Sequence, residues 1–455
     1  MERVRRRADR LETIDRNEAK LPAMRGSIGR LSDVLRSGRA RLKDHPLARL
    51  GPGLITGVAD DDPSGIATYS QAGAQFGTAM LWTMPLAFPL MAAIQSMCGR
   101  IGRVTGRGLA ANIKAEFPPI VLRGVVLLLL IANTINIGAD VAAMGEAGEL
   151  VTGLNPHAMA VAFVVSTLLL QVFVPYHRYV FFLKWLTLSL LAYAGVLFTV
   201  HVPWGQVLRD TVWPRLQFTS DSAAVVVGVF GTTISPYLFF WQASEEVEDM
   251  LAQGKSGLVS DSSVASKELR RIAWDTWSGM FYSDITSYFI ILATAVTLHA
   301  AGITNVETAA QAASALRPLA GDFAFNLFAM GIVGVGLIGV PVLAGSSAYA
   351  LSEAMGWNEG LEKDVRDARA FYSVIAFSVI AGSLILYSPI SPMKALFWSA
   401  VINGVVAVPL MAVIILLASK RSVMGPYVSS WSIAFLGWIA TFVMGVAAAL
   451  MFVLR

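Results

Sequence analysis

The sequence predicts an all-α polytopic membrane protein of about eleven transmembrane helices arranged as five-plus-five inverted repeats, and three observations carry that prediction. The first is composition. Of 455 residues 55% are hydrophobic and 15% are charged, and the mean hydropathy is +0.60, whereas a water-soluble domain carries about 25% charged residues. The second is distribution, because the charges cluster and leave long stretches that are almost free of them. Such stretches cross a bilayer as helices, which satisfy their own backbone polar groups. The roughly ten-residue alternation of a β-barrel is absent. The third is a pair of polar, Pro-punctuated interruptions inside two of the apolar segments, five segments apart.

The apolar segments fall at about 52–76, 79–98, 120–150, 157–174, 180–201, 221–250, 275–300, 323–352, 371–388, 393–418 and 431–454. Basic residues concentrate in alternate connections: Arg100, Arg103, Arg107 and Lys114; His177, Arg178 and Lys184; Lys255, Lys267, Arg270 and Arg271; Lys363, Arg366 and Arg369; Lys420 and Arg421. The connections between them hold only Arg209 and Arg215, Arg317, and Lys394. A miscounted helix would scramble this alternation, so the expected topology is N-terminus cytoplasmic and C-terminus outside, in a plasma (inner) membrane. Residues 1–48 form a basic arm, and about 14 of the 35 Lys and Arg lie in the first fifty residues. The arm has no apolar core or cleavage site of a secretory signal, and is read as lying against anionic lipid headgroups rather than nucleic acid. Residues 49–455 form the transmembrane domain: repeat one about 52–201, repeat two about 221–418, and an extra helix about 431–454.

Segment one contains Asp60-Asp61-Asp62-Pro63-Ser64-Gly65. Three acids at a span's centre each cost about 2.5–3.5 kcal/mol on insertion scales, so they require compensation. Pro63 removes a backbone donor and Gly65 opens conformations closed to other residues, so the helix is expected to break here. Segment six contains Gly231-Thr232-Thr233-Ile234-Ser235-Pro236-Tyr237, a second break. Paired breaks point to an inverted-repeat transporter with its site between them, where unwound carbonyls and carboxylates make a hard cation site. Asp before Pro is also an ordinary helix start, and the two roles are compatible.

The run from Gly51 to Gly77, GPGLITGVADDDPSGIATYSQAGAQFG, resembles the first helix of the NRAMP family of divalent metal transporters, whose Asp-Pro-Gly-Asn is followed after a spacer by Gln-Ala-Gly-Ala. Here Asp62-Pro63 is followed by Gln71-Ala72-Gly73-Ala74. Segment six resembles the family's Met-Pro-His helix with Pro236 kept, and Ser419–Gly425 is similar to its basic turn after helix ten. The resemblance implies a LeuT-like fold and metal transport by alternating access. It places Asp62, with Asp61 beside it, on the metal-binding aspartate, Ser235 on the family's methionine and Thr232 where a backbone carbonyl is offered. Gly65 replaces the asparagine ligand, Tyr237 the first histidine and Gln242 the second. A hydroxyl in place of a thioether favours hard ions, and a roomy acidic site suits Mg²⁺, which dehydrates reluctantly. The transported ion is therefore expected to be Mg²⁺ first and Mn²⁺ second, as in the family's magnesium-transporting branch, with no other cofactor. Loss of both helix-six histidines, the side chains most easily switched near neutral pH, argues for transport with little or no proton coupling.

Other polar residues carry two readings. Asp60, Ser64 and Asp140 could line the path or form a second layer around it, and Asp140 falls near the acidic positions that the family uses for protons. Asn133, Asn136 and Asp140 share a helical stripe and serve equally as interhelical hydrogen-bond partners; Asn403 and Asp284 are similar single cases. Glu245 and Glu246, with Glu248 and Asp249, form either an acidic vestibule or an ordinary helix end. The glycines of segment eight permit close packing. A cation-coupled carrier of a small organic solute and a non-transporting metal sensor of the same fold remain alternatives. One cysteine, Cys98, and peripheral histidines give no support for an enzyme. The sequence says nothing of oligomeric state.

Overall fold

The computed structural model describes residues 52–174, 183, 186, 188–215, 219–260, 262–361 and 363–454. The basic arm, and the connection carrying His177, Arg178 and Lys184, lie outside them. The principal helices are α1 (Pro52–Asp60), α2 (Pro63–Phe76), α3 (Thr83–Thr105), α4 (Pro119–Thr152), α5 (Pro156–Phe173) and α6 (Ser220–Thr233). They continue with α7 (Pro236–Ala252), α8 (Ala265–Thr294), α9 (Ala324–Met355), α10 (Arg369–Ser383), α11 (Pro392–Ser419) and α12 (Trp431–Val453).

Among the described residues eight helices are long and apolar enough to cross a bilayer, the sixth segment counted as one through its break. A ninth is gained if Pro63–Met80 and Thr83–Thr105, which meet at a 113° bend, are taken together. The eleven apolar segments account for this number. Segment one is cut into α1 and α2, each too short alone, segment two is α3, and segment five lies partly outside the described residues. Both interruptions fall where the sequence places them. Pro63 and Pro236 each occupy the first turn of a new helix, where the missing N–H costs nothing, and Asp62 and Ser235 precede them in extended conformation.

One expectation needs correcting. The seventh segment was placed at 275–300, but α8 begins at Ala265 and ends in a π-helical turn, Ala295–His299. Lys267, Arg270 and Arg271 are therefore helical, on the polar first turns of α8.

The two broken helices sit at the centre. α8 packs on α1, α2 and α3; α11 packs on α2, α4 and α6; α9 packs on α4 and α7; and α12 covers α3, α6 and α11. Glycines make the closest of these approaches possible. A Cβ on Gly231 of α6 would sit 2.1 Å from the Ala400 carbonyl oxygen and 2.4 Å from the Gly404 nitrogen of α11. The outer flanks of α5 and α12 expose Val161, Val165, Leu169, Phe435, Trp438 and Phe442, the apolar surface of an integral membrane protein.

At one end of the bundle, cationic side chains hold neighbouring segments by their main chain. Arg103 Nη1 donates to the Ser256 carbonyl at 2.8 Å, Lys114 Nζ to that of Ala354 at 2.8 Å, and Arg100 Nη2 to that of Tyr427 at 2.9 Å. At the other end, Thr78 Oγ1 donates to Asp210 Oδ2 at 2.6 Å, Arg215 pairs with Asp210 at 2.9 Å, and the Val306 amide donates to Gln71 Oε1 at 2.8 Å.

Gly231→Ala should force α6 from α11 and lower stability by about 1–3 kcal/mol, the usual result of overpacking. Gly205→Ala, where nothing lies within 4 Å of the added carbon, should leave it unchanged. Thermal unfolding of the two variants in detergent checks the difference.

Candidate metal site

Asp62 stands at the gap between α1 and α2, and its two carboxyl oxygens face different partners. Oδ1 accepts from the Gly65 amide at 2.9 Å and from Ser64 Oγ at 2.5 Å, a helix cap that fixes the carboxylate. Oδ2 accepts from Asn136 Nδ2 of α4 at 3.0 Å and lies 3.2 Å from the Tyr237 hydroxyl of α7. That hydroxyl also lies 3.0 Å from the Ala59 carbonyl, so it joins the end of α1 to the start of α7. Asn136 is oriented by Ser399 Oγ of α11, which donates to its Oδ1 at 2.6 Å. Across the gap Thr232 Oγ1 lies 3.4 Å from Ser64 Oγ. Behind the site, Gly339 of α9 leaves room for the Asp62 Cβ, which a side chain there would meet at 3.1 Å.

The structure thus brings Asp62, Ser64, Thr232 and Tyr237 together and adds Asn136. Gly65 belongs to the same group: a Cβ there would meet Tyr69 at 3.2 Å and Thr232 Oγ1 at 3.3 Å, so the position has little room for a side-chain ligand. Ser235 lies at the second break, but its hydroxyl donates back to the Thr232 carbonyl at 2.6 Å and lies 2.9 Å from that of Gly231. It closes the open end of α6, and its lone pairs are what it retains for a ligand. Asp140 is fully buried beside the Ser64 backbone.

Two expectations are corrected, for Asp61 and for Gln242, and the two readings of Glu245 and Glu246 separate. Asp61, expected beside Asp62 in one ligand set, turns to α8, where its Oδ1 accepts from Ser283 Oγ at 3.0 Å and Ser287 Oγ at 3.2 Å. Asp60 turns the same way and accepts from Ser283 at 2.6 Å. The run of three acids is therefore divided by the helix break. Gln242 lies deeper on α7 and donates to Thr276 Oγ1 of α8 at 2.7 Å, an interhelical link rather than part of the site. Glu245 and Glu246 do not line an open vestibule. Glu246 is fully buried against Arg271 at 2.5 Å, and Glu245 is buried near the Tyr349 hydroxyl at 3.4 Å. Glu248 accepts from that hydroxyl at 2.5 Å and from the Leu361 amide at 2.9 Å. These acids close α7 against α8 and α9.

Asn133 bonds Ser346 and Ser347 of α9, both at 2.9 Å, and is structural. Among the described residues, buried Asn403 finds no partner for either amide atom and buried Asp284 none for Oδ1. The sequence reading passed over Ser283, Ser287, Ser399 and Tyr69, whose hydroxyl lies 3.0 Å from Thr233 Oγ1. Ser283, Asp284 and Ser287, one turn apart on α8, form a polar stripe in an otherwise apolar segment. Among the described residues no three His, Cys, Asp or Glu side chains converge on one point that could hold a metal ion.

The sequence model of one family, described as "Natural resistance-associated macrophage protein-like" (Nramp), matches residues 53–454. The chain belongs to the Nramp family. Solved structures agree on the fold of this Nramp protein. A manganese transporter of Eremococcus coleocola, in complex with an aromatic bis-isothiourea substituted compound, superposes with a TM-score of 0.69 at 16% identity, over 89% of this chain and 85% of that one. MhsT in complex with L-phenylalanine gives 0.57 at 12% identity, over 88% and 98%. Mhp1, a nucleobase-cation-symport-1 family transporter, gives 0.53 at 14% identity in its closed conformation, over 89% and 92%. The shared architecture is the LeuT-like inverted repeat with helices one and six broken.

In the loop after α9, burial pushes Glu359 up to about 9, and Glu353 and Glu248 add to the effect. A carboxyl so raised binds more protons folded than unfolded. Its contribution to stability is present below the ordinary carboxylate value and is lost as pH rises through the folded one. Between about pH 6 and 9 the melting temperature should fall in the native protein and fall less in Glu359→Gln. Parallel curves for the two proteins would contradict this assignment.

Proposed function

We propose that this Nramp protein carries hard divalent cations across the membrane by alternating access, Mg²⁺ before Mn²⁺, with little or no proton coupling. The observation that carries the reading is the surroundings of Asp62. One carboxylate sits between two helix breaks, and its neighbours offer only oxygen and amide groups: Ser64, Tyr237, Thr232 and Asn136. No thioether or imidazole takes part among these contacts. Such a set suits a hard ion that keeps part of its water. The manganese transporter of similar fold supports the wider class of cargo.

The placement of the histidines supports weak coupling. His157 lies 3.0 Å from the Leu386 carbonyl and His299 Nδ1 2.8 Å from the Ala74 carbonyl, both at helix ends away from Asp62. Alternating access is supported by the difference between the two ends of the bundle. One has a cavity of about 370 Å³ between α2, α6 and α11, bordered by Ala67, Gln71 and Lys394. The other is tied by Glu246–Arg271 and by Glu268, which pairs with Lys255 at 2.9 Å and Arg271 at 3.2 Å. The excess of basic residues at the tied end supports its being cytoplasmic.

Mg²⁺ and Mn²⁺ influx into proteoliposomes tests the reading. The expected result is saturable Mg²⁺ flux that Asp62→Ala abolishes, without acidification of the lumen. Mn²⁺ flux without Mg²⁺ flux would overturn the ion preference, and acidification during influx would overturn the absence of coupling. Divalent binding without flux would leave a sensor, and neither binding nor flux would favour an organic solute.

A further inference from the structure

α1 and α8 meet backbone to backbone just before the first break. A Cβ on Gly57 would sit 2.2 Å from the Gly279 carbonyl oxygen, and one on Gly53 would sit 2.8 Å from the Thr276 nitrogen. One turn further along both helices, Asp60 and Asp61 (0% and 2% exposed) press against Ser283 and Ser287, both fully buried. The donors there are too few for the acceptors. Ser283 Oγ has one proton to give and lies 2.6 Å from Asp60 Oδ2 and 3.0 Å from Asp61 Oδ1. Ser287 Oγ also has one, and lies 3.2 Å from Asp61 Oδ1 and 2.9 Å from the Ser283 carbonyl.

What separates this seam from an ordinary polar contact between helices is the pair of oxygens left over. Asp60 Oδ1 and Asp61 Oδ2 are buried and, among the described residues, meet no donor at all. Among the same residues neither acid pairs with a Lys, Arg or His. Asp284, next along α8, faces the same two acids and adds to the negative charge. Neighbouring carboxylates inside a bilayer need compensation. The end of α1 at Asp60 deepens that need, because a helix C-terminus carries the negative end of its dipole and carbonyls that have lost their helical partners. A proton would satisfy one oxygen, whereas a metal cation draws on carboxylates, hydroxyls and carbonyls together.

The class of cation follows from the ligands and the burial. Every available ligand is oxygen, which selects a hard ion. Mg²⁺ keeps several waters and Ca²⁺ takes about six to eight oxygens, but this seam is sealed from solvent and offers two carboxylates and two hydroxyls. A singly charged ion that sheds its water fits both limits, and the C-terminal ends of broken membrane helices suit Na⁺. The Gly57–Gly279 contact leaves no slack for the wider K⁺.

We infer that Asp60 and Asp61 at the end of α1, with Ser283 and Ser287 of α8, form a second cation site, separate from Asp62, that takes a bare sodium ion. On binding, the two hydroxyls turn their lone pairs to the ion. The ion fastens α1 to α8, while Asp62 across the break stays open to its own cargo. The site does not depend on the transport reading above.

The test is sodium binding to the detergent-purified native protein, followed with radioactive sodium and by thermal unfolding at constant pH and ionic strength. Sodium should bind saturably, one ion per chain, and the melting temperature should rise by ~2 °C for each tenfold increase of Na⁺ above its Kd. K⁺ and choline should neither displace the ion nor raise the melting temperature. Asp61→Asn and Ser283→Ala should each weaken binding about tenfold or more and remove the thermal shift, as loss of a charged or hydroxyl ligand requires. Asp62→Asn should keep both. No saturable sodium binding in the native protein overturns the inference, and so does displacement by K⁺ or choline. Native binding in both Asp61→Asn and Ser283→Ala overturns it as well, and loss in Asp62→Asn puts the ion at the metal site instead. Because the readouts are binding and unfolding, absence of Mg²⁺ flux removes the transport reading and leaves this site standing.

Discussion

A carboxylate carried into the interior of a bilayer must be met by donors that are already in place, and the architecture around Asp62 follows from that requirement. An unbroken helix has no free amide to offer its own side chains. The break at Asp61-Asp62 supplies one, the Gly65 amide, in the geometry of an ordinary helix cap. The remaining donors come from elsewhere: Asn136 from α4 and Tyr237 from α7. Each is fixed in turn by a further contact, Asn136 by Ser399 of α11 and Tyr237 by the Ala59 carbonyl at the end of α1. Three helices besides the broken one therefore meet a single side chain, α4, α7 and α9, and α11 fixes one of the donors.

Such convergence demands close helix approach, which explains where the small residues lie. Gly231 and Gly404 let α6 and α11 touch backbone to backbone beside the second break, and Gly339 lets α9 lie against Asp62. A bulkier residue at any of them would move a donor away from the carboxylate. Without an apolar driving force between helices in lipid, association depends on this fit. Packing and site chemistry are thus one constraint and not two.

The sequence made much of this legible because hydropathy and proline report what the bilayer selects. Spans show as apolar runs, and both breaks show as Pro beside acids or hydroxyls. Segment ends were legible only where the apolar run and the helix stop together. α8 extends to Ala265 because a helix projecting from the membrane may carry Lys267, Arg270 and Arg271 on its turns at no hydrophobic cost. The direction of Asp60 and Asp61 was not legible. Helical phase is lost at a break, so no spacing rule tells which neighbour each acid will face. The partnership of Glu246 with Arg271 was hidden for a related reason, since it joins two helices whose relative rotation the sequence does not state. Tyr237 and Ser64 were legible by their position next to a proline.

The fastenings at the basic end have one further property. Arg103, Lys114 and Arg100 grip the carbonyl oxygens of Ser256, Ala354 and Tyr427, atoms that every amino acid possesses. The gripped segments can accept substitutions at those three positions while the clasp stays shut, provided that the chain path is kept. Variation is then tolerated in the strap and penalised in the buckle: in a collection of natural variants of this chain, the three cations should be the fixed members of each pair and their partners the drifting ones.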